Sequence, residues 1–339
     1  MRSQQMNANL TGSFERVWDQ SSSTFSIGGV SVCVLGDREA DVNLGSPLGP
    51  FRVKHQHSDI QIQVQWLPEL NVSQTPQLFE SGAVWRVHSD STDLRFDFST
   101  PHLGLQPYKS LLVDHSFRRA ILQLNKEYLS DSVYPLVPLE YPLDELLIMH
   151  RLTQERAIEL HGSGIVRSNG VANLFIGHSG AGKSTTTRLW TETEDVEVLS
   201  DDRIIVRRDN DAPVGKASLN AGGAARKHEV LRFAQDDKKF RMRMYGTPWH
   251  GEAMFASPNS APLTRIFVLE HGHGNVITPL SPSQAVAELF ARSFVPFHQH
   301  EYVDSALEFL QELVNAVPVY RYAFEPDQRA VEKIRNFHD

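Results

Sequence analysis

Residues 177–184 read Gly-His-Ser-Gly-Ala-Gly-Lys-Ser, and no other stretch of the chain narrows the choice of fold so far. The order Gly177, His178, Ser179, Gly180, Ala181, Gly182, Lys183, Ser184 fits GxxxxGK[ST], and Thr185 follows it directly. An apolar run, residues 171–176 (VANLFI), leads into the segment, and residues 183–190 have helical spacing. Glycines at these positions allow positive φ and close backbone approach, so successive N–H groups can line one concavity and hold phosphate oxygens. The helix N-terminus adds partial positive charge at the same place. Lys183 is expected to reach the β- and γ-phosphates of ATP, and the Ser184 hydroxyl to ligate Mg²⁺. The alternative is a Gly-rich strand-to-helix turn that holds nothing.

The next strand-like run, residues 196–199, ends in Leu199-Ser200-Asp201-Asp202, and residues 204–206 form another. Strand, helix and strand in this order predict a parallel βαβ unit, which opens the Asp pair on the same edge as the loop. Asp202 is the expected metal contact, and either carboxylate can take a proton from an attacking hydroxyl or water. Alone, such a pair is usually a turn or a helix cap. His161, in Glu159-Leu160-His161-Gly162, lies in a strand expected over 157–166. Its imidazole either donates to a phosphate, orients a carboxylate, or is a buried histidine satisfied by backbone groups.

Ahead of this region, residues 24–35, 59–66 (DIQIQVQW), 83–88 and 93–98 alternate apolar with polar and read as antiparallel strands. Residues 115–129 (HSFRRAILQLNKEYL) have helical spacing, and a second helix is expected over 142–155, with Pro142 in its first turn. The C-terminal third predicts helices over 282–293, 303–314 and 327–337 and a strand over 319–324. The fold class is therefore α/β, with a smaller N-terminal β-rich domain over 1–130 and a phosphate-loop domain over 131–339. Residues 209–240, rich in Ala, Gly, Lys and Asp, read as a flexible surface insertion.

With 41 acidic against 33 basic residues, the net charge of -8 argues against general attraction to nucleic acid or an anionic membrane. Cys33, the single cysteine, excludes an internal disulfide and reads as a buried thiol. No run approaches the roughly 18 apolar residues that cross a bilayer, and residues 1–9 do not resemble an export signal, so a cytoplasmic location is expected. The pairs His55 and His57, His271 and His273, and His298 and His300 read as solvated loop histidines, since no helical metal-binding spacing accompanies them.

LHG at 160–162, GHSGAGKSTT at 177–186 and LSDD at 199–202 together resemble the C-terminal catalytic domain of HPr kinase/phosphorylase. That family shares its phosphate-loop architecture with the ATP-dependent phosphoenolpyruvate carboxykinases. The similarity covers residues 156–207 well and residues from 242 onward more loosely. It implies that Lys183 and Ser184 bind ATP-Mg²⁺, that Asp201 and Asp202 supply a base and a metal contact, and that His161 is the family histidine. It further implies transfer of the γ-phosphate to a serine hydroxyl of a protein or peptide, and a ring-like homo-oligomer. Thr185 stands where the family usually has Glu, which argues against the reverse phosphorolysis. The family's glycine-rich signature is replaced by residues 245–252 (YGTPWHGE), a substrate wall or a turn. The chain looks more like the HPr-kinase-related proteins of peptide-modifying gene sets than like the metabolic regulator. A nucleotide-dependent regulatory module is the alternative. Chemistry on a small carboxylic acid is less favoured, because no arginine clamp or further metal-ligand motif accompanies the loop.

Overall fold

A computed structural model of the chain describes residues 21–54, 57–82, 84–89, 93–129, 137–209 and 241–338. The polar stretch 1–9, His55, the boundary near Asp131 and the insertion beyond Asp209 fall outside the described residues. The chain forms two compact units: residues 1–154 with 295–303, and residues 155–294 with 304–339. Both are built on mixed sheets. Among the described residues no helix is long and apolar enough to cross a membrane.

The first unit is an eight-stranded sheet. Its strands are β1 (Ser21–Ile27), β2 (Val30–Gly36), β3 (Ile60–Leu67), β4 (Gln77–Glu80), β5 (Trp85–Ser89), β6 (Asp93–Phe98), β7 (Lys109–Asp114) and β8 (Arg119–Asn125), in the order β1-β2-β3-β8-β7-β6-β5-β4. In β3 the alternation works as its residues suggest, because Ile60, Ile62 and Val64 are buried while the glutamines between them are partly exposed. Two expectations fail in this unit. β3 pairs in parallel with both β2 and β8, so the sheet is mixed rather than antiparallel. The helix expected over 115–129 is instead the strand β8, followed by the single turn α2 (Lys126–Leu129), after a first short helix α1 (Gly45–Leu48). Held between β3 and β7, β8 is covered on both faces, so Ala120, Ile121, Leu122 and Leu124 form a nearly continuous buried run.

Behind Pro142, α3 (Leu143–Leu152) carries His150 into an aromatic cluster. The His150 ring stacks on Phe117 at 4.9 Å and lies 5.1 Å from His298. His298, expected in solvent, is thus packed, with Tyr302 5.6 Å away. Cys33 is a buried free thiol, as its apolar surroundings predict.

The second unit follows the long strand β9 (Ala157–Arg167), then β10 (Ala172–Ile176), α4 (Lys183–Thr193), β11 (Val196–Ser200) and β12 (Arg203–Arg208). After the undescribed segment come β13 (Met242–Tyr245), β14 (Ser260–Pro262), β15 (Arg265–His271), β16 (Val276–Pro279), α5 (Pro282–Phe290) and β17 (Ser293–Phe294). The last elements are α6 (His300–Ala316), β18 (Val319–Phe324) and α7 (Gln328–Arg335). The expected parallel βαβ unit takes a different form. β10 and β11 run in the same direction, but each pairs antiparallel with β9, which lies between them. β10 finds its parallel neighbour in β15, and β15 in turn pairs in parallel with β18.

All five side chains of β10 are buried, and Phe175 packs 5.5 Å from Phe267 and 6.3 Å from Trp190 of α4. Each such aromatic contributes about 2–3 kcal/mol by leaving water. This cluster, continued by Tyr322, Phe324, Val331 and Ile334, fixes α4 and α7 against the sheet. It thereby fixes the loop that joins β10 to α4.

Candidate functional site

The level at which strands stop along β9 decides where the polar residues meet. β10 ends with Ile176 opposite Gly162, and β11 ends with Ser200 opposite Gly164, on the other edge of the same strand. Residues 177–182 and the Asp pair therefore leave the sheet at one end, with β9 between them. β11 and β12 run in sequence along the same edge of β9, and Asp201-Asp202 occupies the break between them. Ser200 makes that break: its Oγ accepts the amides of Asp202 (3.3 Å) and Arg203 (3.2 Å). His161 is opposite Arg203, directly beside the break.

In the loop, Gly180 and Gly182 have φ of 79° and 100°, which only glycine adopts without strain. Gly182 must be glycine for a second reason, since a Cβ there would sit 2.4 Å from the Phe324 ring. Gly177 is buried, His178, Ser179 and Gly180 are exposed, and Ala181, Gly182, Ser184 and Thr185 are partly exposed. Ala181 N donates to His178 O (3.0 Å), closing the turn, and His271 Nε2 lies 2.8 Å from Gly180 O. α4 is anchored to β9 by the Ser163–Thr187 hydroxyl pair at 2.8 Å, beside the Thr187 bond to Lys183 O. The helix thus starts with the amides of Lys183, Ser184 and Thr185 turned toward the loop end, where an anion profits from them.

Lys183 is buried, and its Nζ donates to Gly177 O (3.1 Å) and His178 O (3.3 Å). Burial holds its pKa below the ordinary lysine value; Asp202 and Asp201 pull it up, while Arg203 and Arg292 push it down. Arg203 and Arg292 are charges the sequence reading missed. Arg292 follows α5, is buried, donates to Glu288, and offers its carbonyl to His161 N at 2.7 Å. No motif marks it; only the strand pairing of β17 with β9 brings it here.

The two aspartates have opposite surroundings. Asp201 is 1% exposed, and its two oxygens accept amides from Gly251 (3.0 Å), Ala253 (2.9 Å) and Phe255 (3.2 Å). Residues 245–252, expected as a substrate wall or a turn, are in part the wrapping of this carboxylate. Gly251 approaches so closely that a Cβ would lie 2.9 Å from Asp201 Oδ2. Asp202 is partly exposed, with Oδ1 2.9 Å from His161 Nε2 and Oδ2 bound by the Arg203 guanidinium. Burial alone would raise its pKa, but the His161 bond and the charges of Arg203, His161 and Lys183 outweigh it and hold the carboxyl below its ordinary range. Arg203 is set in turn by Glu159 (3.5 Å) and lies 4.1 Å from the Phe294 ring centroid.

Among the described residues no cluster of three or more His, Cys, Asp or Glu could enclose a metal alone. Mg²⁺ does not ask for one, because it keeps waters and phosphate oxygens and takes one or two protein oxygens. Ser184 and Asp202 fit that limited role by oxygen chemistry and exposure. No family model matches the chain, and no curated protein matches it significantly.

Proposed function

We propose that the second unit is a phosphate-loop kinase domain of the HPr-kinase-like type, which transfers the γ-phosphate of ATP to a hydroxyl, in the first instance a serine of a protein or peptide. The observation that carries this reading is the common exit of β10 and β11 at one end of β9, which brings Lys183 and the Asp202–His161 pair into mutual electrostatic range. A strand-to-helix glycine turn alone would not require a buried lysine within electrostatic range of a carboxylate hydrogen-bonded to an imidazole.

In this reading the amides of residues 177–185 and the α4 N-terminus cradle the β- and γ-phosphates. A phosphate oxygen offers the Lys183 ammonium a charged acceptor stronger than the carbonyls of Gly177 and His178. Mg²⁺, held by Ser184 and, through one of its waters, by Asp202, would supply positive charge to the phosphate oxygens as the transferring group loosens. The acceptor oxygen forms the new P–O bond as the bond to the β-phosphate oxygen breaks, and ADP leaves. The acceptor's proton passes to Asp202, whose carboxylate His161 and Arg203 hold in place. Because such transition states are loose, a carboxylate of low pKa serves mainly to aim the hydroxyl and takes the proton late. Asp201 is a positioning residue here, since its oxygens already serve three amides.

Incubation with γ-labelled ATP and lysate of the native host tests the proposal, with Asp202→Asn as the control. A labelled band lost in the variant supports the kinase and names the acceptor. Tight ATP binding with no label on any protein, peptide or metabolite supports the regulatory module instead.

A further inference from the structure

The first unit holds a cluster of positive charge that plays no part in the phosphate loop. Arg118, Arg119 and Arg151 line one open cleft of ≈ 340 Å³, together with His57, Ser58 and Gln61. On a chain of net charge -8, three arginines against one aspartate lining a single hollow are a local inversion of the overall charge balance.

The backbone beneath the arginines is fixed by hydrogen bonds. Asp114 Oδ1 and Oδ2 accept the backbone amides of Arg118 (3.1 Å) and Arg119 (2.8 Å), and Arg118 O accepts Gln61 N (2.8 Å). Those bonds fix the backbone while leaving both side chains at the exposed surface. Arg151, only 6% exposed, is anchored by donation from its guanidinium to Ser116 O at 2.8 Å. The one acidic lining residue, Asp59, is already engaged: its Oδ2 accepts Ser31 N at 2.8 Å and Ser31 Oγ at 2.6 Å. Burial would raise its pKa, yet the Ser31 bonds and the charge of Arg151 outweigh it and hold the carboxyl below its ordinary range, so Asp59 is an anion set against Arg151. The Ser58 hydroxyl is buried there with no hydrogen-bond partner, a donor that a ligand oxygen can satisfy.

We propose that this cleft is an anion site that takes a tetrahedral phosphate group, either as free phosphate or as the head of a small monoester. Guanidinium forks favour an ion whose several terminal oxygens accept at once, and a hollow lined by three arginines suits phosphate better than a single carboxylate. The volume exceeds what one ion fills and lies within the range of small-ligand pockets, leaving room for an ester body beside Gln61 and His57. The inference does not depend on the kinase reading, because the two sites share no residue.

Titration calorimetry on full-length protein carrying Lys183→Ala, which weakens anion binding at the loop, tests it with inorganic phosphate and with glycerol 3-phosphate. Saturable binding is expected, weakened at least about tenfold when Arg118→Gln and Arg119→Gln are added, with an unchanged Tm. Both arginines are exposed, so their loss leaves the core intact. Tighter binding of the ester supports a monoester site, and equal binding supports free phosphate. No saturable heat from either ligand up to about 10 mM, or binding indifferent to the two arginines, overturns the proposal.

Discussion

Asp201 faces three backbone amides, while Asp202, the next residue, faces an imidazole and a guanidinium. Adjacent carboxylates at the end of one strand thus do different work. Asp201 holds residues 251–255 in place, and Asp202 pairs with His161 and Arg203.

That division predicts opposite outcomes for two matched substitutions. Asp201→Asn puts an amide group where three N–H donors need an anion, and should cost about 2–3 kcal/mol of stability. Asp202→Asn gives up the pairing with His161 and Arg203 at a partly exposed position, so it should cost less stability than Asp201→Asn, and it should lower phosphoryl transfer at least about 100-fold. Chemical denaturation and labelled-ATP transfer, run on both variants, check the assignment; the reverse pattern would give Asp201 the chemical role.

Two glycines of the loop separate backbone strain from crowding. Gly180→Ala at φ 79° meets nothing within 4 Å and should cost about 1 kcal/mol of strain alone. Gly182→Ala at φ 100° also drives a methyl to 2.4 Å from Phe324, so it should cost clearly more and displace the start of α4. Equal melting temperatures for the two variants would show that the Phe324 contact does not constrain the loop.

Acid should loosen the first unit through its buried histidines. Burial, and the charge of His298, push His150 down to about 3, against a weaker pull upward from the Leu146 carbonyl; burial brings His298 to about 4. Both rings are neutral in the native state and take up protons near pH 6.5 when unfolded. Stability is therefore complete above about pH 6.5 and falls as the pH drops toward the native values. His150 contributes up to about 1.4 kcal/mol per pH unit over that window, and the more solvated His298 less. His150→Phe, which keeps the aromatic packing, should flatten the pH dependence of urea midpoints between pH 6.5 and 4; an unchanged slope would assign acid sensitivity elsewhere.

The parts of the site legible in sequence were those built from neighbours in the chain. β9, β10, β11, β18 and α4 match their expected spans to within a few residues, because short apolar runs there end at a glycine loop or a polar pair. β8 was not legible as a strand, since a strand buried on both faces loses its alternation and its apolar residues then also satisfy helical spacing. The parallel neighbours of β3 are equally invisible, for pairing is a property of the sheet and not of the strand. Asp201 could not be separated from Asp202 either, because the amides that occupy it begin 50 residues further on, at Gly251. Arg292 reaches the site only through the two-residue strand β17, too short to leave a pattern.

The central claim is that Lys183 and the loop around it grip a triphosphate, and calorimetric titration of MgATP into wild type and Lys183→Ala addresses it without assuming any acceptor. Saturable binding by the wild type, weakened at least about tenfold by the substitution, is the expected result. No heat at millimolar MgATP, or equal affinity in the two proteins, would contradict it.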